Sequence, residues 1–244
     1  MTAAAILPLE LNTTINEPGQ RYARLIALFM LASLIFGGLG EAYIPSKIIV
    51  SGDATATASN ILNSPMLFRL GFATYLVEAI CDVALALLFY ALLRPVNRNL
   101  ALFTAFLGLI STTLYAVAEA FYFAPTIILS GADYLKTFSP EQLNSLSYLS
   151  LRLFNKIAGL YLAFYGLGMA IRGYLIYRSR YLPKVLGVLL AIGGTGFIVQ
   201  TLATVLAPQY VSNLLLLPMA AAGLTLMLWL FVRGVDVEKW HAAR

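Results

Sequence analysis

Two carboxylates lie one helical turn apart inside an apolar run of this chain, at Glu78 and Asp82. Two such groups cannot both ionise at low cost in a medium of low dielectric constant, so we expect at least one of them to have a raised pKa unless Lys156 or Arg152 reaches it. A carboxylate that titrates near neutral pH is suited to binding a cation or carrying protons. The pair therefore predicts ion or small-solute chemistry in an apolar environment.

Six further polar residues lie in or at the ends of apolar runs and are candidates for the same site. They are the carboxylates Glu41 and Glu119, the basic residues Arg152 and Lys156, and the amides Asn155 and Gln200. An ionised side chain in the middle of a membrane span costs about 2.5–3.5 kcal/mol, so it persists where it faces water, a partner or a cavity. We predict an outward-facing polar pocket with carboxylates opposite Arg152 and Lys156, in which Asp82 lies deeper than any basic side chain.

Six long apolar runs must position these residues. They are Tyr22–Tyr43, Leu67–Leu93, Leu100–Phe123, Leu151–Tyr174, Val185–Leu206 and Val211–Val232. A helix needs about 20 mainly apolar residues to cross a bilayer, whereas the strands of membrane barrels are shorter and alternate in polarity. With 60% hydrophobic and 11% charged residues and a mean hydropathy of +0.83, the chain is predicted to be an all-α, polytopic membrane bundle of six transmembrane helices.

Helical spacing places small and polar residues on one face of each of five spans. In spans one and two these are Ser33, Gly37, Gly40 and Glu41, and Gly71, Thr74, Tyr75, Glu78, Asp82 and Ala86. In span three they are Gly108, Ser111, Thr112, Tyr115 and Glu119. In spans four and five they are Arg152, Asn155, Lys156, Gly159, Ala163 and Gly166, and Gly193, Gly196, Gln200 and Thr204. Packed membrane helices turn such faces toward one another, so we expect all five faces to point into the bundle.

The distribution of Lys and Arg predicts the orientation of the spans. Eleven of the sixteen basic residues precede span one, follow span six, or lie around the connections from span two to three and from four to five. The positive-inside rule then places both termini in the cytoplasm. The predicted segments are a cytoplasmic tail (1–20), a transmembrane domain (21–233) and a second cytoplasmic tail (234–244).

Two long outer loops, Ile44–Met66 and Ala124–Ser150, are expected to carry short helices. Ser139 and Gln142 form a capping-box pattern that predicts a helix start in the second loop. Six aromatic residues lie where an interfacial belt is expected: Tyr43, Tyr122, Tyr174, Tyr177, Tyr181 and Trp240. Four more tyrosines lie within spans, where they line a pocket or pack in the bundle: Tyr75, Tyr115, Tyr161 and Tyr165.

The rarest residue types exclude several kinds of chemistry. Cys81 is the only cysteine and His241 the only histidine, so one chain cannot form a disulfide or a His/Cys metal cluster. We expect no metal and no other cofactor. The net charge of +5 follows from membrane topology, so no nucleic-acid partner is expected.

Two stretches of the chain resemble the inner loops of a known family. The first is Leu92-Leu93-Arg94-Pro95-Val96-Asn97-Arg98, which continues into Leu100-Ala101-Leu102. The second is Gly173-Tyr174-Leu175-Ile176 with Ser179, Leu182-Pro183-Lys184, Leu186-Gly187 and Val188-Leu189-Leu190. Both stretches resemble a family of bacterial multi-pass membrane proteins, the domain of unknown function 4386, over about residues 20–235. The resemblance implies a multi-pass helical protein of the bacterial cytoplasmic membrane, and it carries over no activity and no catalytic residue.

Three functions are compatible with these residues. The first is binding or transport of a small solute, ion or lipid, with Glu78 and Asp82 on a cation or proton and with Arg152 and Lys156 on an anion. The second is a structural or regulatory subunit that associates with other membrane subunits or with further copies of itself, its buried charges serving only helix packing. The third is an intramembrane enzyme, which is less favoured because carboxylate acid–base chemistry alone is available.

Overall fold

Helices form every regular element in the part of the chain that the computed structural model describes, residues 17–207, 209, 211 and 216–244. Helix α1 (Pro18–Gly37), a π-helical segment (Gly38–Tyr43) and α2 (Ile44–Ile48) follow one another without a break, and α3 (Ala54–Asn63) comes next. The long helices are α4 (Pro65–Leu93), α5 (Arg98–Ile128), α6 (Pro140–Arg178) and α7 (Lys184–Leu206), with a 3-10 turn at Asp133–Leu135 between α5 and α6. The last helices are α8 (Leu216–Val232) and α9 (Val237–Ala242).

Five helical segments of the described chain are long and apolar enough to cross a membrane. They are Pro18–Ile48, α4, α5, α6 and α7. Helix α8 is apolar but shorter, with 17 residues. The predicted sixth span begins at Val211, and its residues 212–215 lie outside the described residues. The predicted all-α membrane class is thus confirmed: the chain is a multi-pass membrane protein.

Helix α6 is much longer than the predicted span four, Leu151–Tyr174. Its 39 residues extend about 58 Å, roughly twice the thickness of the hydrocarbon layer. The helix starts early because of the predicted capping box, which is confirmed. The backbone N–H of Gln142 donates to Ser139 Oγ (3.3 Å), and the backbone N–H of Ser139 donates to Gln142 Oε1 (2.8 Å).

The two predicted outer loops differ in structure. The first contains the short helices α2 and α3, as expected. The second, Ala124–Ser150, is largely taken up by the end of α5 and the start of α6, with one 3-10 turn between them. The predicted bounds of spans two and five agree closely with the structure. Helices α4 and α7 begin within two residues of the predicted starts and end at the predicted residues.

The described chain forms two compact units. Unit 1 contains residues 17–31, 82–109 and the described residues from 162 onward. Its core includes Leu92 and Leu226, together with Trp240 of α9. Helices α6 and α7 meet at pairs of glycines, because a Cβ on Gly166 or Gly173 would lie 2.5 Å from the backbone oxygen of the facing Gly194 or Gly187.

Unit 2 contains residues 32–81 and 110–161, all of which are described. These are the parts of the helices next to the two long loops. Its core is rich in aromatic side chains and includes Phe68, Tyr75, Tyr115, Tyr122 and Phe154. Unit 2 also carries six of the acidic residues, three of which lie in its membrane helices.

Candidate functional site

Three glutamates of unit 2 lie on three different helical segments. Glu41 belongs to the π-helical segment, Glu78 to α4 and Glu119 to α5. Glu119 is fully buried, with 1% of its surface exposed, Glu78 is half-buried and Glu41 is exposed. Acidic groups in membrane helices are expensive and are commonly functional, so these three define the candidate site.

Glycines allow the first span to approach α4 closely at Glu78. A Cβ on Gly37 would lie 2.7 Å from Glu78 Oε1, and a Cβ on Gly40 would lie 2.5 Å from Thr74 Oγ1. Side chains at either position would therefore displace the polar face of α4. The close contact occurs where the backbone changes from α-helix to π-helix, a geometry that is often found at functional sites.

Two tyrosine hydroxyls fix the π-helical segment. Tyr115 donates a short hydrogen bond of 2.5 Å to Glu41 Oε1. Tyr75 donates a hydrogen bond of 2.7 Å to the backbone oxygen of Gly40. The first bond has the length expected for a hydroxyl that donates to a carboxylate. Glu41 is thereby held toward the buried tyrosines.

Each of the three glutamates is a neighbour of Tyr75 or Tyr115. Glu41 accepts a hydrogen bond from Tyr115, Glu78 lies one helical turn after Tyr75, and Glu119 lies one helical turn after Tyr115. We call these five residues the acidic tyrosine cluster: Glu41, Glu78, Glu119, Tyr75 and Tyr115. The sequence placed Glu78 and Glu119 on inward faces together with these tyrosines, and burial of the tyrosines confirms that the two faces turn inward.

Further aromatic rings surround the cluster. The centroid of Tyr75 lies 5.0 Å from that of Tyr122 and 5.3 Å from that of Phe154. Tyr161 lies 4.7 Å from Tyr115, ring centroid to ring centroid. The ring faces carry partial negative charge, so they add to the negative potential of the carboxylates.

The basic side chains of unit 2 all lie at its surface. They are Lys47, Arg69, Lys136, Arg152 and Lys156, and each is exposed. Asn155 is exposed as well and donates from Nδ2 to the backbone oxygen of Leu151, in its own helix (3.0 Å). The structure thus does not bring Arg152, Asn155 and Lys156 to an inward face with the three glutamates.

The expected inward direction of the polar face of span four is therefore wrong for its first part. Leu151 and Phe154 occupy the inward face instead, with 1% and 7% of their surfaces exposed. Phe154 packs against the rings of Tyr75, Tyr115 and Tyr122. Burial of these apolar and aromatic surfaces fixes the rotation of α6 about its axis. This rotation exposes the polar residues on the opposite face of the helix.

The predicted site residue Asp82 belongs to unit 1, where a buried cation accompanies it. Arg172 has only 9% of its surface exposed and interacts electrostatically with Asp82. Its guanidinium lies over the rings of Phe89 (5.0 Å) and Tyr165 (5.8 Å), and its Nε donates to the oxygen of Gly168 (3.2 Å). A basic side chain is thus buried in the same unit as Asp82.

Gln200, the last predicted site residue, is also in unit 1. It is buried on α7, with 8% of its surface exposed. Its Oε1 accepts no hydrogen bond from the described residues. The eight predicted residues thus fall into three groups: Glu41, Glu78 and Glu119 in the cluster, Arg152, Asn155 and Lys156 at the surface, and Asp82 and Gln200 in unit 1.

The donor set of the site does not favour a metal ion. Among the described residues no three His, Cys, Asp or Glu side chains are close enough together to hold one. Hard cations such as Ca²⁺ take six to eight oxygen ligands at short range, which tyrosine rings between the carboxylates do not supply.

Comparison with known proteins assigns the chain to a family. The model of the family described as a domain of unknown function (DUF4386) matches residues 25–234. The chain belongs to the DUF4386 family. An uncharacterised protein of Archaeoglobus fulgidus is 27% identical to this DUF4386 chain over 128 residues, which are 50% of the chain and 60% of that relative. The match thus spans less than two thirds of the relative's length, and no solved structure matches the chain.

Proposed function

We propose that this DUF4386 protein binds and moves a small positively charged solute, a proton included, across the bacterial cytoplasmic membrane. The observation that carries the proposal is that Glu41, Glu78 and Glu119 lie on three apolar helical segments of unit 2, each next to Tyr75 or Tyr115. Three acidic groups in membrane helices create a strongly negative potential, which attracts protons and cations.

The membrane arrangement that goes with this proposal has six spans and both termini in the cytoplasm. Eleven of sixteen basic residues lie toward the termini and the two short connections. The other five are the exposed basic residues of unit 2. The positive-inside rule therefore orients unit 2 toward the outside, and the acidic tyrosine cluster is reached from there.

Purified protein in liposomes tests the proposal. Liposomes that contain a pH-sensitive dye report proton movement when a gradient of sodium or potassium is imposed. We expect flux with the wild-type protein and its loss in Glu119→Gln. Glu141→Gln is the matched control, because Glu141 is an exposed acidic residue of the same unit, and it should keep the flux. Equal flux in Glu119→Gln and the wild type, or no flux with any gradient, contradicts the proposal.

A structural role within a larger complex is the second candidate, and one observation favours it for part of the chain. Asp82 interacts with the buried Arg172 in unit 1, as expected of charges that stabilise helix packing. Such a subunit purifies with partners in mild detergent. A homogeneous protein that responds to a cation by itself argues for the first candidate.

A further inference from the structure

We propose that the exposed face of α6 in unit 2 binds an anionic phospholipid of the surrounding membrane. Arg152 and Lys156 hold the lipid phosphate, and Leu153 and Leu160 contact the acyl chains. The inference goes beyond the proposed function, because it concerns the exposed face of α6 and not the acidic tyrosine cluster. The two can therefore succeed or fail separately.

Two basic side chains of α6 point away from the core of unit 2. Leu151 and Phe154 are buried, whereas Arg152 and Lys156 are exposed. The two basic residues are four positions apart, so they are neighbours on one face of the helix. Like charges at this spacing repel each other, so a negatively charged group that contacts both side chains is stabilised.

The described chain supplies no counter-charge for this pair. Its ion pairs lie elsewhere, at Lys136 and Asp133, at Lys239 and Asp236, and at His241 and Glu17. The negative charge that complements Arg152 and Lys156 is thus left to the surroundings of the described chain.

The position of the pair along the chain corresponds to the level of the lipid headgroups. A helix crosses about 30 Å of hydrocarbon with about 20 residues. Counted back from Tyr174, where the predicted span four ends, such a segment begins at about residue 155. Arg152 and Lys156 thus lie at the start of this segment, the end that faces outward in the proposed orientation. Long basic side chains at such a position extend to the headgroups.

Apolar surface without a protein neighbour lies next to the pair. Leu153 and Leu160 are 39% and 46% exposed. A Cβ on Gly159 would have no atom within 4 Å, so no described segment packs against the helix there. At 100° per residue, these three residues and the basic pair lie within about a third of the helix circumference. In a bilayer, acyl chains cover such a surface.

A phospholipid satisfies both parts of this face at once. Its phosphate oxygens accept charge-assisted hydrogen bonds from Arg and Lys. Asn155 is exposed between the two basic residues, and one of its Nδ2 hydrogens is donated to the backbone oxygen of Leu151 (3.0 Å). The second hydrogen is available to a phosphate or ester oxygen of the lipid.

A second copy of the chain fits this face less well. In a symmetric dimer the same patch of both copies lies at the interface. Arg152 and Lys156 of one copy would then approach the same residues of the other, and like charges brought together disfavour association. Charge therefore favours an anionic lipid over a second copy.

Lipid titrations of the full-length protein in detergent, measured by native mass spectrometry, test the inference. The probes are phosphatidylglycerol, which is anionic, and phosphatidylcholine, which is zwitterionic, both with oleoyl chains. We expect the wild type to bind phosphatidylglycerol more tightly. Arg152→Gln/Lys156→Gln should weaken phosphatidylglycerol binding about tenfold or more and leave phosphatidylcholine binding nearly unchanged. Inorganic phosphate should displace no more lipid than sodium chloride at the same ionic strength, because it lacks acyl chains.

Lys47→Gln/Arg69→Gln is the matched control, since both residues are exposed basic residues of unit 2 that lie on other helices. This protein should bind phosphatidylglycerol like the wild type. If the Arg152→Gln/Lys156→Gln protein does not fold, the two single variants decide, and each should show part of the loss.

Several outcomes overturn the inference. Equal affinity of the wild type for the two lipids does so, as does an equal loss in the Lys47→Gln/Arg69→Gln protein, because net charge then determines binding. Displacement of the lipid by inorganic phosphate assigns the pair to a soluble anion instead. A protein that purifies with the wild type but not with the Arg152→Gln/Lys156→Gln variant, without any lipid preference, assigns the face to an acidic protein partner. The flux of the proposed function is measured separately and does not depend on these results.

Discussion

Trp240 donates a hydrogen bond of 3.1 Å from Nε1 to the backbone oxygen of Leu92. Leu92 lies in the last turn of α4, where carbonyl groups lack a partner within the helix. The hydroxyl of Tyr181 donates to the same oxygen (2.8 Å). The end of a membrane helix is thus completed by two aromatic side chains, one of them from the final short helix α9.

Substitution of Trp240 by Ala should destabilise unit 1 strongly. The indole is fully buried and its ring contacts Gly19, so its removal leaves a large cavity as well as a lost hydrogen bond. We expect a loss of about 3–5 kcal/mol in the free energy of unfolding, measured by denaturant titration in detergent. Trp240→Phe keeps most of the apolar surface and should lose less. An Ala variant as stable as the wild type contradicts the packing described here.

The hydrogen bonds at the start of α9 should make the stability of the folded protein depend on pH in the acid range. Lys239 donates hydrogen bonds from its side chain (2.5 Å) and its backbone (3.1 Å) to the Asp236 carboxylate. The side-chain bond is the main cause that lowers the pKa of Asp236. A lowered pKa in the folded state means that this stabilisation is fully present above the unfolded pKa of about 3.9 and is lost as the pH falls through the lower folded pKa.

Thermal unfolding between about pH 5 and pH 3 tests this dependence. The fluorescence of Trp240, in a Trp229→Phe background, reports the region of α9. We expect the melting temperature of the Asp236→Asn protein to fall less with acid than that of the parent protein. The difference should be small, because the carboxylate is 39% exposed and solvent screens it. Parallel curves for the two proteins would show that Asp236 does not contribute.

The positions of the helices were predictable from sequence because long apolar runs have few alternatives in a bilayer. The inward faces of α4 and α5 were predictable too, since Thr74, Tyr75 and Glu119 share them with glycine and serine. Ser139 was recognisable as a helix start because its capping box depends on local sequence alone.

Contacts between distant segments were not predictable in the same way. Arg172 lies next to the basic connection before α7, so we counted it among the basic residues that predict the orientation of the chain. In the structure it is buried by packing against Phe89 and Tyr165. Trp240 was expected in an interfacial belt and is fully buried. Both cases depend on which distant residue lies opposite, and periodicity within one helix does not carry that information.

The contact of α6 with α7 should not tolerate a single methyl group. A Cβ on Gly187 would lie 2.5 Å from the oxygen of Gly173 and 2.6 Å from the nitrogen of Tyr177. Both are backbone atoms, so the helices must separate. We expect Gly187→Ala to destabilise the protein by about 1–3 kcal/mol, measured by unfolding in mixed micelles. Gly223→Ala is the control, because a Cβ there has no atom within 4 Å. Equal stabilities would contradict the close helix contact.

Loss of the Tyr115 hydroxyl should affect the candidate site more than the fold. Tyr115→Phe removes the 2.5 Å hydrogen bond to Glu41 and keeps the ring that packs against Phe154. We expect a loss of about 1–3 kcal/mol in stability and reduced cation-linked proton flux in liposomes. Tyr148→Phe, which removes a hydroxyl bonded to the backbone nitrogen of Gly52, should leave the flux unchanged. Reduced flux in both variants would indicate a general loss of folding.

Asp82 and Arg172 should behave as a coupled structural pair. Removal of one partner leaves an uncompensated charge in unit 1, so Arg172→Met and Asp82→Asn should each cost about 3–5 kcal/mol in the free energy of unfolding. The double variant should lose clearly less free energy of unfolding than the sum of the two single variants, because it leaves no uncompensated charge behind. Denaturant titrations of the four proteins give the coupling energy.

Arg178→Met is the control for this cycle, since Arg178 is an exposed basic residue near the end of the same helix and its loss should be nearly neutral. The cycle also bears on the role of Asp82. A coupled pair, with cation-linked flux retained in the double variant, assigns Asp82 to helix packing and leaves transport to the glutamates of unit 2. Additive costs, together with loss of flux in Asp82→Asn alone, would instead place Asp82 in the path of the cation.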